Sequence, residues 1–576
     1  MSAPDMITTQ VIGNALLGIA EEMGVALRRS AYSTNIKERS DCSTAVFDHA
    51  GRLIAQAEHM PIHMGSMAGL IAHLVGADLG LTDGDVFITN DPYAGGGTHL
   101  PDITVAAPVF RDGELIGFVA DIAHHSDVGG RVPGSNSGDC GSIFEEGLRI
   151  PLVRLVAAGR LSTDVLSFVT LNSRLPEERG GDIRAQLAAC HIGRTRLLEL
   201  HDRYGAATLR EATGALLDHA SRRLRAAVAA VPDGEYAFTD HLDPDEPGGA
   251  PVPVAATVTV AGERIAVDFT GTGPQSALGI NVVRSALEAT VCYAVKAVLD
   301  PEIPANGGFF DGIAITAPEG CLVNPRPPAP VAGRTDCCQR VADAVLGALA
   351  KALPERVPAG SHSSVTYFTL AGEQGGDFWV YPEVVAGGMG ARPDRDGLDA
   401  VQVHITNSSN LPIEALELEY PLRVNAYELI TDSGGAGRFR GGLGIRREIQ
   451  ALDSGAEFSS HADRQQVPPW GLCGGLPGDP GAFVVHVRDG EGERLRSGRV
   501  SGIHLEPGEA VRIEAPGSGG HGDPLERDPG AVAADVADGR VSPAAALDQY
   551  GVVLTAAGLV DVAGTAAERT RRNATT

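Results

Sequence analysis

Apolar residues recur every three to four positions between residues 7 and 29. Val11, Ala15, Ile19 and Met23 stand four apart, and Leu16 and Ala20 share their stripe, which predicts an amphipathic helix capped by Thr8 or Thr9. The period then shortens. Residues 43–47 and 52–56 read as the strands of a hairpin whose turn carries Asp48 and Gly51, and after a helix over 63–74 a strand is expected at 85–89. Two further strands, 103–110 and 115–122, flank Arg111-Asp112-Gly113.

From 162 to 231 the pattern is helical, with candidate helices at 182–190, 193–204 and 210–230. Pro232-Asp233-Gly234 interrupts it. Strands at 255–260 and 264–269, a loop at 270–279 and a helix at 285–299 follow. A Pro-rich linker at 324–330 leads to a helix at 342–353. From 364 to about 516 short strands alternate with glycine turns, 529–551 returns to helix, and the tail 569–576 reads as disordered. The pattern implies an α+β, multi-lobed chain with no internal repeat. The expected divisions are an N-terminal mixed α/β lobe at 1–231, a mixed middle lobe at 232–355, a strand-rich, glycine-rich lobe at 356–525 and a helical segment with a flexible tail at 526–576.

Composition sharpens this reading. The 73 glycines in 576 residues are nearly twice the typical share of about 7%, which suits a turn-rich, strand-rich protein. With 46 basic and 73 acidic residues the net charge is −27, which disfavours nucleic-acid and membrane-surface partners. No run of about 18 apolar residues is present, and residues 1–10 lack the basic start and apolar run of a signal peptide; a soluble, cytoplasmic protein is expected. The eight cysteines are scattered without a CxxC pair and read as reduced thiols, the adjacent Cys337 and Cys338 among them.

Several chemistries drop out. A phosphate-cradling P-loop, a GxSxG nucleophile elbow and the HExxH zinc motif are absent, so no nucleotide-binding residue is assigned to this chain. The glycine-rich run 434–444 carries Arg438 and Arg440 but no P-loop lysine and reads as a turn cluster.

Histidines and carboxylates concentrate in one region. Gly95-Gly96-Gly97-Thr98-His99-Leu100-Pro101-Asp102 sets flexible backbone against an imidazole and a carboxylate three residues apart, and Ala123-His124-His125-Ser126-Asp127 follows the next strand pair. A hairpin would bring His124 beside His99. Two imidazoles with one or two carboxylates and no thiolate suit Mn²⁺, Zn²⁺ or Fe²⁺, with Mn²⁺ or Zn²⁺ preferred, and leave positions open for water or substrate. The competing reading is that these histidines cap loops or bond backbone. Spacing alone leaves both open.

Asn35-Ile36-Lys37-Glu38-Arg39-Ser40-Asp41, Ala55-Gln56-Ala57-Glu58-His59, Asn90-Asp91-Pro92-Tyr93, Thr98-His99-Leu100-Pro101-Asp102 and the segment from Ala123 to Gly130 resemble the hydantoinase B/oxoprolinase family in order and spacing. Later segments, including Asn172-Ser173-Arg174, Pro412-Ile413-Glu414-Ala415 and Gly519-Gly520-His521-Gly522-Asp523-Pro524, extend the likeness nearly end to end. His521 departs from the family pattern, which has an aromatic residue there. The resemblance implies a metal held by His99, Asp102 and His124, with Asp41 as a fourth ligand; Asp41 pairing with Arg39 is the alternative. It also implies a hydantoinase A-like partner that binds ATP and phosphorylates the carbonyl of a five-membered cyclic amide such as hydantoin, N-methylhydantoin or 5-oxoproline, within a hetero-oligomer containing two or more copies.

On this reading the metal lowers the pKa of bound water and polarises the activated ring, so that metal-bound water opens it. His125 or Asp127 would position the water or relay its proton, and Arg174 and Glu414 are candidate substrate contacts or supports of the ligands. The alternatives are a subunit of an ATP-dependent ketone carboxylase of the acetone or acetophenone type, and a non-catalytic scaffold for the A-like chain.

Overall fold

A computed structural model describes residues 5–58, 60–77 and 79–574; His59, one residue of the motifs above, lies outside them. The expected α+β architecture is present, with four sheets and long helices. The first helix spans Met6–Ser30 and is capped not by Thr8 or Thr9 but by Asp5, whose carboxylate accepts from the Thr8 N–H at 2.8 Å, a cap worth about 1 kcal/mol. Its buried face is Ile12, Leu16, Ile19, Ala20, Met23 and Leu27, whereas Val11 is exposed.

That face packs against the helix Pro176–Tyr204. The expected break near residue 191 does not occur. Gly193, read as a helix start, is a point of close approach: a Cβ there would lie 2.3 Å from Met23 Sδ. Gly181 meets the Tyr32 ring in the same way, so these glycines admit neighbours rather than end the helix.

The N-terminal sheet has seven strands, β1 (Cys42–Asp48), β2 (Leu53–Glu58), β3 (Val86–Thr89), β4 (Asp102–Arg111), β5 (Glu114–His124), β6 (Val153–Ala157) and β7 (Arg160–Leu161), in the order β2-β1-β5-β4-β3-β6-β7. The β4–β5 hairpin turns at Asp112 and Gly113, both at positive φ, as Asp-Gly turns require. Its register pairs Asp102 directly with His124. The helix expected over 63–74 is instead a 3₁₀ turn, Pro61–His63, followed by a helix at Ala68–Gly76.

A second sheet contains β8 (Gly234–Leu242), β9 (Val252–Ala261), β10 (Arg264–Asp268) and β11 (Ile313–Thr316), in the order β11-β10-β9-β8. Across it runs the helix Arg334–Ala350, every residue of which is buried. Its start lies well before the expected residue 342, because Arg334, Asp336 and Arg340 interrupt the apolar pattern in sequence but are buried as ion pairs. One apolar cluster runs from Ile12 to Ile405 and joins the elements on either side of residue 231.

The C-terminal part holds two sheets. One comprises β12 (Tyr367–Gln374), β13 (Asp377–Val384), β16 (Ala456–His461) and β19 (Val500–Leu505); the other comprises β14 (Leu422–Leu429), β15 (Ile445–Ala451), β17 (Ala482–Arg488), β18 (Glu491–Arg494) and β20 (Ala510–Glu514). Phe368, Phe458, Phe483 and Ile513 form their shared core. The tail is not disordered where it is described: Asp561 caps a helix at Val562–Asn573. All eight cysteines are free, and only Cys473 is exposed. Among the described residues no helix is long and apolar enough to cross a membrane.

Candidate metal centre

The chain segment leading into β4 is fixed before it reaches the site. The Asn90 side-chain amide donates to the carbonyls of Leu100 and Leu148 at 2.7 and 2.9 Å, and its Oδ1 accepts from Ile150 N–H at 2.6 Å. A turn then closes from Asp102 N–H to the His99 carbonyl at 3.1 Å, which puts these two side chains together. Gly97 permits the approach, since a Cβ there would stand 2.7 Å from the Asp102 carbonyl oxygen.

His99, Asp102 and His124 converge, with one ligand atom from each lying within 4.8 Å of the others, and all three are buried. The His99 and His124 rings are 4.9 Å apart. His99 Nδ1 lies 3.1 Å from the Ala332 carbonyl, which can only accept, so the proton belongs on Nδ1 and the Nε2 lone pair is free. That Nε2 is 3.4 Å from Asp102 Oδ1, and neither atom has a hydrogen-bond partner. The other carboxylate oxygen, Oδ2, accepts from Thr98 Oγ1 at 2.5 Å and Arg334 Nη2 at 3.0 Å. The Asn35 amide holds His124 from behind, 3.1 Å from Nδ1 and 2.8 Å from its carbonyl.

Burial, aided by the nearby Arg334 charge, lowers His99 to about 4, and burial with the neighbouring His99 holds His124 well below the ordinary imidazole value. Both rings are therefore neutral at pH 7. Burial alone would raise Asp102, yet its surroundings hold it well below the usual carboxylate range. His99 contributes most to this lowering, and the Arg334 guanidinium, 3.0 Å from Oδ2, adds a permanent charge that favours the ionised carboxylate.

Two neutral imidazoles and a carboxylate are a ligand set for a divalent ion. Leaving buried polar atoms unpaired costs about 1–3 kcal/mol each, and atoms each about 2.1 Å from one ion lie roughly 3–3.5 Å apart, close to the His99–Asp102 separation. The residues fit a metal.

Asp41 stands beside this trio: its carbonyl accepts from His124 N–H at 3.0 Å, and its carboxyl, raised by burial, lines the same cleft of about 460 Å³. It is not one of the three groups in the tight cluster. His63, Arg39 and Arg334 also line the cleft. Sequence reasoning missed His63, whose Nε2 lies 3.7 Å from Asp102 Oδ1, and Arg334, because no spacing rule links them to the HxxD segment. A larger, more apolar cleft of about 580 Å³ lined by Leu16, Phe47, Leu197 and Leu209 contains no such cluster.

The structure does not bring His125 or Asp127 to the cluster. His125 sits between Gln186 Oε1, at 3.0 Å, and Arg179. Asp127 accepts from Gly129 N–H, Gly134 N–H, Arg174 N–H and Arg174 Nη1, which makes the Asp127–Arg174 pair a clamp on its loop. Glu414 is exposed in the first turn of the helix Ile413–Glu419.

Comparison with known proteins relates the chain to a family. The Hydantoinase B/oxoprolinase family profile matches residues 5–524. The caprolactamase subunit beta of Pseudomonas jessenii is 34% identical over 99% of this chain and all of its own length. The crystal structure of the ATP-dependent caprolactamase from that organism superposes with a TM-score of 0.90, at 33% identity, covering 99% of this chain and 100% of the other. The 5-oxoprolinase of Dictyostelium discoideum is 33% identical over 90% of this chain, which spans 40% of that longer protein. An acetone carboxylase structure has a TM-score of 0.91 over 98% of this chain and 83% of its own, at 23% identity, a likeness of fold. The chain belongs to the hydantoinase B/oxoprolinase family.

Proposed function

We propose that this chain is the metal-dependent subunit of an ATP-dependent cyclic amide hydrolase. The observation that carries the reading is the pair of unpartnered buried atoms, His99 Nε2 and Asp102 Oδ1, facing each other beside a cleft. Full-length similarity to an ATP-dependent caprolactamase supports the reaction class. His99, Asp102 and His124 would hold Mn²⁺ or Zn²⁺, with Asp41 as a further ligand. Such an ion supplies Lewis acidity at the reacting carbonyl, where negative charge must build.

The protein's own groups do the rest. Arg334 and Thr98 orient Asp102, the Ala332 carbonyl fixes the His99 tautomer, and the Asn35 amide anchors the His124 backbone carbonyl. Met60, Ile62, Val365 and Val384 give the cleft apolar walls that exclude water. His63 lines the cleft beside His124 and is not one of the three clustered ligands, so the proton-handling role passes to it from His125 and Asp127. ATP is assigned to a hydantoinase A-like partner that activates the ring carbonyl by phosphorylation, in a hetero-oligomer containing two or more copies.

The test is co-purification with the ATP-binding partner and an assay of ATP-dependent opening of hydantoin, 5-oxoproline and caprolactam, set against ketone-dependent fixation of bicarbonate. Ring opening that stops on chelation and returns with Mn²⁺ or Zn²⁺ is expected. Bicarbonate fixation, or full turnover after exhaustive chelation, overturns the proposal.

A further inference from the structure

Nine arginines are buried among the described residues: Arg39, Arg179, Arg334, Arg340, Arg440, Arg447, Arg464, Arg499 and Arg527. Eight of them have a carboxylate oxygen within 4.0 Å. Arg39 does not. A guanidinium keeps its charge when buried, and an uncompensated buried charge is among the most costly arrangements a fold can hold. Arg39 is 3% exposed, two residues before Asp41, and it lines the cleft of the metal centre.

Its hydrogen bonding is one-sided. Nη1 donates to the Pro382 carbonyl at 2.6 Å, while Nε is buried without a partner. The anchored Nη1 leaves Nε and Nη2 as the edge of the guanidinium that grips two oxygens of one anion in parallel. Asp41, which feels the Arg39 charge, makes no ion pair with it. A second unsatisfied group lines the same cleft: the buried hydroxyl of Thr335, which can donate a further hydrogen bond.

We infer that Arg39, with Thr335, is an oxyanion receptor in the cleft that takes a group with two coplanar terminal oxygens: the phosphoryl group of an activated ring carbonyl, or a carboxylate on the ring. The receptor stands on the unpaired guanidinium alone; assigning its anion to the substrate rests on the hydrolase reading. A bidentate charge-assisted contact of this kind is worth about 10–100-fold in affinity or rate.

The experiment compares wild type, Arg39→Gln and Arg39→Lys as the metal-loaded complex, with metal content measured in each. Inorganic phosphate and acetate are titrated while the thermal midpoint is followed. Stabilisation of wild type by at least one of these anions, lost in Arg39→Gln and weakened in Arg39→Lys at equal metal content, is expected. Lysine keeps the charge without the fork, so Arg39→Lys reports the difference if Arg39→Gln does not fold. In the kinetic arm, a loss of about 10–100-fold in kcat/KM on both caprolactam and 5-oxoproline identifies the phosphoryl group, and a loss on 5-oxoproline alone identifies the carboxylate. A complex without amidase activity removes the hydrolase reading but leaves the anion titration to judge the receptor. Wild type indifferent to both anions, or variants bound and stabilised as wild type is, overturns the inference.

Discussion

Nε2 of His99 and Oδ1 of Asp102 face each other across 3.4 Å in a buried space, and neither makes a hydrogen bond. The remaining polar atoms of the two side chains are paired: the imidazole proton goes to the Ala332 carbonyl, and the second carboxylate oxygen to Thr98 and Arg334. With the outer atoms satisfied and the inner two open, the pair fits the proposed cation.

His99→Ala and Asp102→Ala are therefore expected to abolish stoichiometric metal binding while the complex still assembles. Arg334→Gln, which removes a permanent charge that favours the ionised Asp102, weakens metal affinity by about 10–100-fold. Elemental analysis and competition with a chelator check both. Variants that retain one ion per chain would refute the ligand assignment.

Gly97→Ala tests the approach of the loop to β4. The added methyl would fall 2.7 Å from the Asp102 backbone oxygen, so the loop must move and carry His99 with it. Metal affinity falls while far-ultraviolet circular dichroism stays close to wild type; unchanged affinity would show that the loop yields without disturbing the ligands.

Asp127→Asn and Arg174→Ala disrupt a clamp rather than a catalytic contact. Breaking a buried pair by removing one partner costs about 3–5 kcal/mol, discounted here because Arg174 is partly exposed. Lower thermal midpoints are expected, with turnover per folded complex within a few-fold of wild type. A loss of turnover by about two orders of magnitude at an unchanged midpoint, the scale on which general acid–base catalysis acts, would return Asp127 to the reaction.

Asp121, in β5, predicts a pH effect. Burial raises its carboxyl from 3.8 to about 8, against smaller opposing contributions from Cys190 and Gln186. The folded chain thus holds a proton that the unfolded chain has released. The resulting stability is complete below about pH 4 and is lost as pH rises through about 8, at up to about 1.4 kcal/mol per pH unit. Asp121→Asn should flatten the wild-type decline in thermal midpoint across this window; parallel profiles would contradict the assignment.

The hairpin strands of β4 and β5 were legible because their alternation is strong and Asp112-Gly113 prescribes the turn; their register pairs His124 with Asp102 and brings it beside His99, as expected. The glycines of the helix Pro176–Tyr204 misled, since a glycine that breaks a helix and one that admits Met23 look alike until the neighbour is known. The start of the helix Arg334–Ala350 was hidden for a related reason: Arg334 and Asp336 look like solvent-facing polar residues until their partners Asp102 and His461 come from distant segments.

The sequence by itself determined the class of chemistry: local spacing and family motifs named two imidazoles and a carboxylate, and nothing in the chain offered a nucleotide site. Only the tertiary structure decided which charges surround them. His63, Arg334 and Arg39 come to one cleft from segments tens to hundreds of residues apart, and His125 is turned away from it although it adjoins His124. Side-chain direction and the pairing of buried charge are set by what packs against them, and one-dimensional spacing does not encode that.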